Sequence, residues 1–143
     1  MADKNLHIIK KAVYNKLSGD TTLIGLLGSN KIYYAQNLTT PQYPSVIYEV
    51  IEEVDNPYNE DSDEGKITET TLSITVFSDN SKSEECDNIE ARIKMVLHGQ
   101  SKLTTDSVIC FSCFKLYSNQ RRDVEKKLWI TTSMYRLTSA PVE

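Results

Sequence analysis

The sequence predicts an α+β fold: an antiparallel or mixed β-sheet with long hairpins, packed by an N-terminal helix and a second helix near residues 82–98. Two observations support this fold class. Hydrophobic residues recur with helical spacing in two segments and with β-strand patterns in most of the others. The composition, 39% hydrophobic and 25% charged, is typical of a globular domain and excludes a disordered or collagen-like chain. Because 143 residues can bury a substantial core, we expect a single domain over residues 1–143.

The first segment is predicted to be an amphipathic helix over residues 4–17, which Asp3 would cap and Ser18-Gly19 would end. Next, Asp20 is predicted to cap a short helical turn over Thr21–Leu27, whose hydrophobic residues would close one end of the core. The spacing of four hydrophobic residues supports the first helix: Leu6, Ile9, Val13 and Leu17.

Two strands are predicted to follow, Ile32–Tyr34 and Val46–Val54, because both segments are rich in β-branched and aromatic residues. Pro41 and Pro44 lie between them and predict a crossing loop, since proline continues neither a helix nor a central strand. After the second strand, Asp55–Gly65 combines turn residues with five acids and is predicted to be an exposed connection.

The middle of the chain predicts a half-buried strand over Ile67–Phe77, where hydrophobic and polar residues alternate. Ser81 and Glu84 have the spacing of a capping box and predict the start of a second helix, which would run to Gly99. Five residues trace its hydrophobic face: Cys86, Ile89, Ile93, Val96 and Leu97.

A long closing hairpin is predicted from two strands, Val108–Tyr117 and Lys126–Thr138, joined by the polar turn Ser118–Asp123. We expect a covering surface on both faces, because both faces of the second strand are hydrophobic. Its hydrophobic side chains are Leu128, Ile130 and Met134 on one face, and Trp129, Tyr135 and Leu137 on the other.

The formal net charge of −4 is unevenly distributed along the chain. Residues 49–64 contain eight acids and no base, whereas residues 115–143 carry a net charge of +3. The overall acidity argues against nucleic acid as the main ligand, because phosphate binding needs a basic patch. The asymmetry instead indicates a protein partner or self-association.

Two segments have residue types found in redox, zinc or calcium sites, but the residues around them do not complete such a site. We therefore expect no enzyme, no metal site and no cofactor. Cys110 and Cys113 form a C-x-x-C within a predicted strand, where residues three apart should point to opposite faces. A calcium loop starting at Asp61 would lack its central glycine and its final acid. The acidic loop is therefore interpreted as a solvated segment or a partner surface.

Targeting signals are not predicted either. No hydrophobic stretch is long enough for a membrane span or a signal core. Three cysteines without framework spacing are typical of reduced thiols in a cytoplasm.

The order of these elements closely resembles the small tail-completion proteins of long-tailed bacteriophages, also called tail terminators or tail-to-head joining proteins. The resemblance covers roughly residues 6–138. It depends on the first helix, the Leu23–Gly28 turn, Lys31–Tyr34, the Tyr43-Pro44 start of the next strand, Leu72–Ser78, and the final hairpin.

The resemblance implies a structural virion protein that caps the tail tube as a ring, typically of six copies, stops tube growth and joins the tail to the head connector. The implied partners are other copies of the chain, the tail tube protein and the head connector, with DNA passing through the ring without specific binding. The implied location is the virion tail or neck, after assembly in the bacterial host cytoplasm. Another phage neck or head-completion protein, or a small non-catalytic ligand-binding or regulatory domain, is the alternative.

Candidate contact residues follow from this implied ring. In a ring, one patch of each subunit meets a different patch of the next, so opposite charges and an uncovered hydrophobic face are expected. For the two arginines, the alternative is a solvated turn. The candidates are Arg121, Arg122, Trp129, Tyr135, Leu137, Glu60, Asp61, Asp63 and Glu64.

Overall fold

The computed structural model describes residues 2–35, 42–55, 67–100, 103 and 108–141, which form three helices and six strands. The fold is α+β, as predicted. The helices are α1 (Ala2–Ser18), α2 (Thr21–Leu27) and α3 (Glu84–Leu97). The strands are β1 (Ile32–Tyr34), β2 (Ser45–Asp55), β3 (Thr68–Ser78), β4 (Gly99–Gln100), β5 (Val108–Asp123) and β6 (Leu128–Pro141).

The strands form one mixed sheet in the order β1-β2-β3-β6-β5-β4. β1 runs parallel to β2, and the other neighbouring pairs are antiparallel. The helices pack against one face of the sheet, here called the helix face. We call the opposite face the open face. None of the helices in the described ranges is long and apolar enough to cross a membrane.

The core lies between the helices and the helix face. The predicted alternation in β3 is confirmed: Leu72, Ile74 and Val76 are buried, while the residues between them are partly exposed. The predicted hydrophobic face of α3 is also confirmed, since all five of its residues are buried. Both patterns place one side of an amphipathic element against the same core.

The N-terminal helices agree with the predicted boundaries except at the first cap. α1 starts at Ala2, so Asp3 lies inside the helix rather than capping it. At the other end, the Gly19 N–H donates to the Asn15 carbonyl at 2.9 Å. Gly28 follows α2 with φ of 84°, a left-handed conformation that glycine adopts without steric penalty.

Asp20 both caps α2 and ties it to α3. Its Oδ2 accepts from the Leu23 N–H at 3.0 Å, as the sequence predicted. The Arg92 guanidinium donates to both carboxylate oxygens, at 2.8 and 2.7 Å. This two-pronged contact from Arg92 is the main reason why the pKa of Asp20 lies below its ordinary value of 3.8; burial opposes the shift.

The lowered pKa of Asp20 makes part of the stability acid-sensitive. Its contribution is fully present well above pH 3.8, where the carboxyl is ionised even in the unfolded chain, and is lost as the pH falls through the folded-state pKa. Asp20→Asn keeps a side-chain oxygen that can cap α2 but removes the titrating carboxyl. We therefore expect the Tm of this variant to fall less steeply below pH 4 than the Tm of the wild type. Thermal melts from pH 2 to 7 test this, with the exposed Asp79→Asn as control. Parallel curves for wild type and Asp20→Asn would contradict it.

The predicted capping box at Ser81 and Glu84 is wrong. α3 begins at Glu84, its N-cap is Ser83, and the Ser83 side chain makes no capping hydrogen bond. The Ser81 carbonyl instead accepts from Trp129 Nε1 at 3.3 Å. A contact with a distant strand therefore positions this segment, where local spacing predicted a cap.

The closing hairpin is longer than predicted, and its turn lies elsewhere. Ser118–Asp123 belongs to β5, and the turn comprises Val124–Lys127, with Lys127 at φ of 57°. Polar residues can extend a strand because the backbone, not the side chains, makes the ladder to β6. The polar side chains of this stretch make contacts of their own: Gln120 Nε2 donates to Asp87 Oδ1 at 2.7 Å and to Thr131 Oγ1 at 2.9 Å.

Candidate interaction surface

Arg121 and Arg122 point to opposite faces of the hairpin, since successive strand residues alternate. Arg121 pairs with Ile130 on the open face. Arg122 pairs with Trp129 on the helix face. The sequence predicted that both arginines lie on the same turn and contact the same partner. In the structure, their side chains lie on opposite faces of the sheet.

Arg122 is engaged within its own chain. Its guanidinium lies over the Trp129 ring, 5.3 Å from the ring centre, and its Nη1 donates to the Asn80 carbonyl at 3.4 Å. Together with the Trp129 contact to Ser81, these interactions fasten the hairpin to the segment that leads into α3. Arg122 and Trp129 therefore have structural roles inside the subunit.

Arg121 is exposed and lies at the rim of a shallow depression of about 290 Å³ on the open face. In the part of the chain that the structure describes, no carboxylate pairs with its guanidinium. The other lining residues are Tyr117, Asn119, Ile130, Thr132 and Met134. A cation beside hydrophobic and hydroxyl groups is typical of a protein contact surface.

Exposed hydrophobic side chains cluster at both sides of the sheet. On the β5 side, Phe114, Leu116 and Tyr117 are exposed, with Tyr117 at 60% of its full area. On the β2 side, Ile51 and Val54 are 53% and 47% exposed. Grouped exposed hydrophobic residues mark interaction surfaces in soluble proteins.

The expectation that Tyr135 and Leu137 lie on an uncovered face is wrong. Both side chains are fully buried, because their face of β6 is the helix face. The predicted contact acids, Glu60, Asp61, Asp63 and Glu64, lie outside the described residues. Of the predicted contact residues, Arg121 is the most exposed among those that the structure describes.

A partly buried ion pair between β5 and α3 was not predicted. Lys115 Nζ pairs with Glu90 Oε1, to which Ser133 Oγ also donates at 3.3 Å. Burial raises the pKa of the neighbouring Tyr135 hydroxyl, and the charge of Glu90 adds to the shift. The sequence signal was a lysine within the hydrophobic segment 108–117, which needs a partner if it is to be buried.

The cysteines and His98 have structural environments. The Cys86 and Cys113 side chains are fully buried, and burial is the main cause of the raised pKa of Cys86. Along the backbone, Cys110 pairs with Ser139 and Cys113 with Leu137, and β5 has an irregularity between Cys110 and Ser112. His98 Nδ1 accepts from the Lys115 N–H at 3.0 Å. Across the described ranges, no group of three or more potential metal ligands converges.

Comparison with known proteins identifies a family and a similar fold. The family model described as "Tail completion protein gp17" matches residues 11–137. A chain from a solved structure, "Virion of native gene transfer agent (GTA) particle", has a similar fold, with a TM-score of 0.69 and 16% sequence identity. The similarity covers 90% of this chain and 91% of that chain. No curated protein sequence matches the chain significantly.

Proposed function

The chain belongs to the family of the tail completion protein gp17, and from this membership we propose that it caps the tail tube as an oligomeric ring, stops tube growth and joins the tail to the head connector. It is a structural, non-enzymatic protein of the phage tail. The observation that carries the proposal is the family match, which runs from α1 into β6.

The two sides of the sheet support a ring of identical copies. In a ring, one surface of each subunit contacts a different surface of the next subunit. The two edges of this sheet, at β2 and at β5, differ in charge. On one side, residues 49–55 of β2 contain four acids and no base. On the other side, residues 121–127 at the end of the hairpin contain four bases and two acids, a net charge of +2. We propose six copies, which gives an assembly of about 98 kDa from 16.3 kDa chains.

The remaining partners are proposed from the same role. One side of the ring would contact the tail tube protein, and the other the head connector. DNA would pass through the ring without specific binding, because an acidic chain repels the phosphate backbone. The assembled location would be the head-proximal end of the tail.

Particles that lack this chain test the proposed function. We expect tail tubes of uncontrolled length and filled heads without tails, because nothing would end the tube or offer a surface to the connector. Electron microscopy of lysates checks both features, and expression of the wild-type chain should restore joined particles. A tagged chain should be found at the head-proximal end. Normal particles without the chain, or a tag at the distal tip, would refute the proposal.

A further inference from the structure

Within the part of the chain that the structure describes, no strand covers the outer edge of β5 over its second half. β4 pairs with β5 only at Ser112 and Cys113, and His98 accepts the next outward N–H, that of Lys115. From Ser118 to Asp123, the strand pairs with β6 alone among the described elements. An uncovered edge presents N–H and C=O groups that can receive a further strand.

The outward backbone groups follow from the registers of the sheet. The Val46 N–H donates to the carbonyl of Lys31, which directly precedes β1. Successive residues along a strand direct their backbone N–H and C=O groups to opposite sides of the strand. The registers extend this alternation across the sheet: Val46 pairs with Val76, Val76 with Thr131, and Thr131 with Gln120. The backbone N–H and C=O groups of Ser118, Gln120 and Arg122 therefore point away from β6, toward the outer edge of the sheet. No described strand pairs with these three backbone groups.

The opposite edge of the sheet, along the second half of β2, has no neighbouring strand among the described residues. β1 pairs with β2 only at Val46–Tyr48, and the Tyr34 hydroxyl accepts from the Val50 N–H at 3.4 Å. Beyond this point, no strand of the described ranges lies outside residues 51–55. This stretch carries three acids and the exposed Ile51 and Val54.

We propose that residues 51–55 of one copy add as an antiparallel strand to the open β5 edge of the next copy, so that the sheets become continuous around the ring. This inference rests on the proposed ring. β2 and β5 run in opposite directions within the sheet, so copies that are rotated about an axis along the strands meet antiparallel. The open stretches lie at opposite ends of the sheet. Neighbouring copies are therefore offset, with strands inclined to the ring axis, as in closed barrels.

The side chains at the two edges are complementary. In a continuous sheet, the open face of one copy continues into the open face of the next, and cross-strand neighbours interact. Glu52 and Val54 lie on the open face of β2, opposite Thr71 and Glu69 of β3. In the proposed pairing, the Glu52 carboxylate and the Val54 side chain of one copy would lie beside Arg121 and Tyr117 on the open face of the next copy. Because these groups are complementary in charge and hydrophobicity, we assign a second copy of this chain as the partner of the β5 edge.

A proline at Ser118 tests the strand addition. Ser118→Pro removes an outward N–H that the isolated chain does not use in its ladder, and proline is tolerated at such edge positions. We expect a nearly unchanged Tm of the dilute monomer and about a tenfold or greater loss of ring assembly. Ser118→Thr, which keeps the N–H, is the matched control and should assemble normally. Native mass spectrometry of tail-bound material measures assembly.

Hydrogen exchange provides the second measurement, which needs no variant. The amides of Ser118, Gln120 and Arg122 should exchange more slowly in the assembled ring than in the dilute chain. Unchanged exchange, or normal rings from a folded Ser118→Pro chain, overturns strand addition alone and leaves the proposed function standing. Protection that needs another virion protein, without self-association, also overturns it. Failure of the wild-type chain to occupy tail ends overturns the function and the inference together.

Discussion

Replacing Arg121 with glutamate should abolish ring assembly and head joining while the monomer keeps its fold. Arg121 is exposed on the open face, and no carboxylate within the described residues pairs with it. The substitution should therefore leave intramolecular contacts intact. At a subunit contact with an acidic partner, it converts attraction into repulsion. A single exposed ion pair contributes only about 0–1 kcal/mol, but a closed ring repeats the change at every interface.

Arg122→Glu is the matched comparison, because Arg122 is the neighbouring residue on the other face. Its loss removes the stacking on Trp129 and the hydrogen bond to Asn80. We expect Arg122→Glu to lower monomer stability by about 1 kcal/mol, the usual scale of an exposed cation–π contact. Urea unfolding of dilute chains and counts of infectious particles separate the two effects. Arg121→Lys, which keeps the charge, should assemble.

A charge exchange extends this test. Glu52→Lys alone should also weaken assembly, and Glu52→Lys combined with Arg121→Glu should restore it, since the pair then attracts again. Assembly of the wild-type chain should weaken at moderate salt, which screens exposed charges. Normal rings and infectious particles from Arg121→Glu would show that this arginine is merely solvated.

Leu137→Ala should lower the free energy of unfolding of the dilute monomer by about 2–5 kcal/mol, the range for large-to-small changes in a packed core. Leu137 is fully buried in the core between the sheet and the helices. A residue at a subunit contact would instead change assembly and leave the isolated chain unaffected. Urea unfolding at low protein concentration distinguishes the two roles.

Tyr135→Phe is the control for the substitution of Leu137. The Tyr135 ring is fully buried, and its buried hydroxyl oxygen has no hydrogen-bond partner among the described residues. Removing an unsatisfied hydroxyl while keeping the ring should be neutral or stabilising. If Leu137→Ala leaves the unfolding midpoint unchanged and reduces only assembly, the placement of β6 against the helices is wrong.

Local sequence patterns determined most of the helices and strands. The spacing of Cys86, Ile89, Ile93, Val96 and Leu97 predicted the buried face of α3, and Asp20 predicted the start of α2. Both signals depend on neighbouring residues along one helix, so they can be read without a partner. The order of the elements resembled that of tail-completion proteins, and the family match confirms this identification.

The placement of the hairpin and of the candidate contact residues depended on the tertiary structure. β6 is hydrophobic on both faces, and only packing against helices from distant parts of the chain decides that Tyr135 and Leu137 lie inside. Ser118–Asp123 has the composition of a turn but forms a strand, because its ladder to β6 is made by backbone groups that composition does not report. The same long-range pairing separates Arg121 from Arg122 and leaves the outer edge of β5 from Ser118 to Asp123 without a partner strand among the described residues. Periodicity along the chain shows which residues share a face, whereas the partner of each face is decided by contacts between segments far apart in sequence.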